Sequence, residues 1–133
     1  MSASLAVQKL LMAALVDLPG VTGVFDGPPA DAAPPYAVIG SDLVTDWSTK
    51  TERGHEHRLA VNIWVPGPGA ATAKALLGGV EARVRNLAGS VDGHRIVSSL
   101  FLRSLVLTDA EGWTQGIAEF RVRTTADATA SAD

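Results

Sequence analysis

Three stretches of the chain carry residues whose types and spacing invite a chemical reading. The first is Gly67-Pro68-Gly69-Ala70-Ala71-Thr72-Ala73-Lys74, a glycine-rich start followed by a lysine. A phosphate loop needs Gly-Lys-Ser/Thr in direct succession, so that backbone amides, ammonium and hydroxyl act on one triphosphate. Here Ala73 precedes Lys74 and Ala75 follows it, and Thr72 stands where the third glycine of a dinucleotide fingerprint belongs. The stretch reads as a turn from strand to helix. The second is His55-Glu56-His57, which on a strand would present two imidazoles on one face. A metal site needs a third or fourth ligand and supporting hydrogen bonds. His94, the only other histidine, sits in a turn, so the favoured reading is a solvated pair in a polar loop. The third is Asp26, Asp31, Asp42 and Asp46, which fall where aspartate is expected as a turn former. There is no Gly-x-Ser-x-Gly elbow and no cysteine, which removes the nucleophile elbow, thiolate metal sites and disulfides. The expectation is a protein that is not an enzyme, with no cofactor and no metal.

The elements that would position any site follow from periodicity. The chain has 133 residues, 47% of them apolar, which fits one domain able to bury its own core. Ser2 or Ser4 caps a helix running to about Leu18, with Val7, Leu11, Ala14, Leu15 and Leu18 on one face. Its apolar run, Leu10 to Val16, is too short for a membrane span and lacks the preceding positive charge of a secretory signal. A short strand spans Val21 to Phe25. Tyr36 to Gly40 starts another, extending through Leu43 and Val44, and a polar excursion covers Thr45 to His57. Arg58 to Val65 alternates cleanly, with Leu59, Val61, Ile63 and Val65 against Arg58, Ala60, Asn62 and Trp64.

After the break at Pro66-Gly67-Pro68-Gly69, a second helix from about Ala71 to Leu87 carries Leu76, Leu77, Val80, Val84 and Leu87 on one face. Gly78-Gly79 inside it costs about 1 kcal/mol per glycine, which close approach of a neighbouring element would offset. Arg95 to Leu107 and Thr114 to Thr124 form a hairpin, with Phe120 and Val122 facing inward and Gln115, Glu119, Arg121 and Arg123 on the opposite face. The expected fold is α+β: a mostly antiparallel sheet of about four to five strands with two helices packed on one face. The expected domain spans residues 1–125, with 126–133 a flexible tail.

The unusual side chains are the tryptophans. Trp47 lies in a polar stretch, Trp64 in the polar register of its strand, and Trp113 just after a turn. Loops run over the surface, and tryptophan is enriched at interface hot spots. Trp47, Ser48, Thr49, Lys50, Arg53, His55, His57 and Trp113 are therefore the protein–protein interface candidates. With a net charge of −3, the chain lacks the basic balance of a dedicated nucleic-acid binder.

The succession VFDGPP, PPYAVIG and DWSTKTERGHEHRLAVNIW, then GHRIVSSLFLRS, the D-x-x-G-W-T-Q-G hairpin and FRVRT, resembles the tail-completion or tail-terminator proteins of siphophages. It is most similar to the branch encoded in gene transfer agents, from about Val24 to Thr125. The resemblance implies a hexameric ring at the head-proximal end of the tail tube. Such a ring stops tube polymerisation, docks to the head connector and lets DNA through. The partners it implies are further copies of the chain, the tail tube protein, the connector or stopper protein, and DNA passing without sequence-specific binding. No membrane is involved. The location it implies is the bacterial cytoplasm during assembly, then the tail of the particle. Alternatives are another connector, stopper or tube ring subunit, a small hydrolase or metal-dependent enzyme, and a ligand-binding module.

Overall fold

The computed structural model describes residues 2–109 and 111–126. The first helix, α1 (Ala3–Leu15), starts where Ser2 accepts a hydrogen bond from the Leu5 amide, satisfying one of the orphan donors of the first turn. It buries Ala3, Ala6, Val7, Leu11 and Leu15, while Leu5 and Val16 remain exposed. A short strand β1 (Val24–Phe25) follows, then the long pair β2 (Tyr36–Asp46) and β3 (Gly54–Pro66). Helix α2 (Ala70–Arg85) leads to β4 (Ser90–Val91), β5 (His94–Thr108) and β6 (Trp113–Ala126).

The sheet has six strands in the order β1-β2-β3-β6-β5-β4, and its orientation is mixed. Two differences from the expected four to five antiparallel strands have physical causes. The β1–β2 connection contains Pro28, Pro29, Pro34 and Pro35, which resist a tight hairpin. The chain makes a wider excursion and returns with β1 parallel to β2, Val24 beside Ala37. The extra strand β4 arises at Asp92-Gly93, where both residues have positive φ (51° and 83°). That geometry suits a two-residue hairpin, so the chain before the turn pairs with the chain after it, Ser90 with Arg95.

Both helices cover one face of the sheet. Leu11, Leu15, Leu76, Leu77, Val80 and Val84 share a single core with Leu59, Val61, Ile63, Ala118, Phe120 and Val122. Glycine sets two of the close approaches: a Cβ at Gly116 would lie 3.0 Å from Leu77, and one at Gly79 would lie 3.0 Å from Leu18. Gly78, in contrast, faces open space. Gly78→Ala should therefore raise stability by about 0.5–1 kcal/mol through helix propensity alone, read from the urea midpoint.

The polar excursion shrinks to a turn. Strand β2 runs through Asp46 and β3 begins at Gly54, so His55 and His57 are strand residues. Strand pairing wins because β3 and β6 stay in register through Thr125, which gives these backbone groups ladder partners that a loop would lack. The last strand runs through Ala126, and the rest of the expected tail lies outside the described residues.

Candidate functional site

The face of the sheet away from the helices carries the residues that the core does not use. Reading across β2, β3, β6 and β5, one row is Leu43, Arg58, Arg121 and Leu100. The row beside it is Thr45, Glu56, Arg123 and Ser98, and farther along Glu119 stands opposite Arg103. Toward the other end lie Tyr36, Trp64, Gln115 and Leu107. The open face therefore has a charged half and an aromatic half.

In the aromatic half, Trp64 and Trp113 meet edge to face, with centroids 6.2 Å apart. With Pro28, Tyr36 and Val38 they line a cleft of about 310 Å³. The Asp109 carboxylate accepts hydrogen bonds from the amides of Glu111 and Trp113, both at 2.9 Å, which fixes the approach to Trp113.

In the charged half, the Arg123 Nε donates to Glu56 at 3.0 Å, and the Nε atoms of Arg58 and Arg121 stand 4.0 Å from the same carboxylate. Trp47 borders this half, its ring 4.9 Å from the Arg123 guanidinium carbon. The 47–53 turn is held by its own side chains: Ser48 Oγ accepts from the Gly54 amide at 3.0 Å, and Thr49 Oγ1 accepts from the Glu52 amide at 3.1 Å. Lys50 and Arg53 are exposed there. Trp47 and Trp113 consequently lie at opposite ends of β3, beside Gly54 and Pro66, and do not form one patch.

The histidines depart most from the solvated pair expected. His57 is fully buried on the helix-covered face, its Nε2 3.0 Å from Thr124 Oγ1 and its Nδ1 3.9 Å from Asp42. The His55 ring lies 6.2 Å from both His57 and His94, so the topology gathers all three. Burial is the main force holding the His57 pKa below its ordinary 6.5; Asp42 opposes it, and His55 and His94 add to it. Among the described residues no group of three or more histidine, cysteine, aspartate or glutamate side chains is placed to hold a metal ion. Among the same residues no helix is long and apolar enough to cross a membrane.

What inspection of the sequence passed over is the arginine grouping. Arg121 and Arg123 were legible as neighbours on one strand face, but Arg58 joins them only through the β3–β6 register.

The family model described as tail completion protein gp17 matches residues 5–125. A chain of the solved structure titled "Virion of native gene transfer agent (GTA) particle" is similar to this one. The TM-score is 0.73 at 25% identity, over 94% of this chain and 96% of the other. No curated protein matches.

Proposed function

This chain belongs to the tail completion protein gp17 family, and from that premise we propose that it closes the head-proximal end of a phage-like or gene-transfer-agent tail as a ring of identical subunits. The observation that carries the reading is the family match over residues 5–125, together with a structural likeness to a virion chain over nearly the whole of both. The ring caps the tube, joins it to the head connector and leaves a lumen for DNA. The work is adhesive, and no residue turns over a substrate. A ring requires head-to-tail contacts, in which two different patches of each copy meet. The two helices cover one side of the sheet and leave the other with arginines and tryptophans, which are enriched in interfaces. Six copies and the cytoplasmic place of assembly come from the family resemblance.

Localisation in purified particles tests the position. An antibody label against this chain should mark a single site where head meets tail, and deletion of the gene should leave unjoined heads and tubes of uncontrolled length. Label spread along the tube would overturn the terminator reading in favour of a tube subunit.

Trp47, with the exposed turn behind it, is expected to serve assembly more than folding. Trp47→Ala removes one cation–π contact from a half-buried ring, worth on the order of 1 kcal/mol. The monomer should melt nearly as the wild type does, while incorporation into particles falls. A mutant that melts early yet builds normal particles would return Trp47 to a structural role.

A further inference from the structure

Resting on the ring reading, we infer that the Arg58–Arg121–Arg123 patch of the open sheet face receives carboxylates from a second copy of this chain, in a head-to-tail contact. Arg58 and Arg121 are direct cross-strand partners. Like charges in that position repel, and strands ordinarily avoid them. Arg123 stands one row away, and a single carboxylate, Glu56, serves all three guanidinium groups. The Nε of Arg121 is buried without a hydrogen-bond acceptor among the described residues. The patch is thus short of negative charge within its own chain.

The occupant follows from charge and composition. The open face carries Arg58, Arg95, Arg103, Arg121 and Arg123 against Glu56 and Glu119, an excess of three positive charges in a chain whose net charge is −3. The rest of the chain is correspondingly acidic, with Asp26 and Asp31 between β1 and β2, Glu52 in the β2–β3 turn, and Asp109 and Glu111 in the β5–β6 turn. Two copies meeting by this face alone would set positive against positive. A head-to-tail pair sets it against the acidic remainder, and such a contact can repeat around a ring.

Two features favour protein over a phosphate backbone. Leu43 and Leu100, 61% and 45% exposed, flank the arginines in the same cross-strand row and want apolar cover. The chain's lysines, Lys9, Lys50 and Lys74, all lie in other elements; protein interfaces are enriched in arginine and depleted in lysine, whereas phosphate backbones draw on both.

The test is R58E. The new carboxylate stands opposite Arg121, so the monomer should melt at or above the wild-type temperature. Self-association, measured by sedimentation over a range of concentrations, should weaken about tenfold or more, and added salt should weaken the wild type in the same direction. Should R58E fail to fold, R58Q decides the matter by the same measurement. An assembly that the substitution leaves unchanged overturns the contact, as does a wild type that stays monomeric at every concentration. So does binding of a DNA duplex by the wild type that R58E abolishes while self-association persists. None of these results touches the ring's position, which the particle label decides separately.

Discussion

Phe120→Ala should lower the stability of the domain by about 3–5 kcal/mol, the range for emptying a buried aromatic position. Phe120 is fully buried at the middle of β6, between Leu59 on β3 and Phe101 on β5. Its ring meets Phe101 in a tilted edge contact at 5.7 Å, so the substitution loses an aromatic pair as well as buried area. Neither neighbouring strand can collapse into the space without breaking its ladder. Small domains hold only about 5–15 kcal/mol in total, so the variant should give up a large share of its stability at ordinary temperature. Urea unfolding should show a much lower midpoint with an unchanged slope. Val97→Ala on β5 is the control, because 43% of Val97 is already exposed and the expected change is within about 0.5 kcal/mol. A loss below about 1 kcal/mol for Phe120→Ala would mean that the helices move in to fill the hole.

The same residues indicate how much of the fold was legible beforehand. The period-2 pattern of Leu59, Val61, Ile63 and Val65 and the helical spacing of Leu76, Leu77, Val80 and Val84 both point to burial, and all eight are buried. Those patterns carry the signal because each element has one covered face. Strand β1 was legible within Val21 to Phe25 but its parallel pairing was not, and β4 was not legible at all, since each has two residues and is placed by its partner. A turn at His94 was legible, but the strand before it was not, because Ser90-Val91 is too short to show a period. The site was legible in part. Arg121 and Arg123 alternate visibly on one strand, whereas their grouping with Arg58 depends on a register between strands some sixty residues apart. The histidines were misplaced for a related reason: a polar sequence between Thr45 and His57 looks like a loop when read alone. Only the pairing of β3 with β2 on one side and β6 on the other turns its two ends into strand and carries His57 into the core.

That burial makes His57 the residue through which acid should weaken the fold. In the folded chain its pKa lies below 6.5, first because burial penalises the charged ring, and then because His55 and His94 lie close; Asp42 on β2 acts the other way. Thr124 on β6 contacts its Nε2, and Ser4 of α1 donates its hydroxyl to Asp42, while the ring's Nδ1 is buried with no hydrogen-bond partner among the described residues. In the unfolded chain the ring titrates near its ordinary value of about 6.5. Above that pH both states are neutral at this position, and the contribution is fully present. As the pH falls below it, the unfolded state takes up a proton that the folded state refuses. Stability therefore declines with acid, by at most about 1.4 kcal/mol per pH unit for one proton, until the folded ring titrates too. His57→Gln keeps a group able to reach Thr124 and removes the titration. Urea midpoints measured from pH 8 to pH 5 should fall more steeply for the wild type than for this variant, with the two curves diverging below about 6.5. Parallel curves would mean that Asp42, already 3.9 Å from the ring, closes on it and holds a protonated His57 as a buried ion pair without loss to the fold.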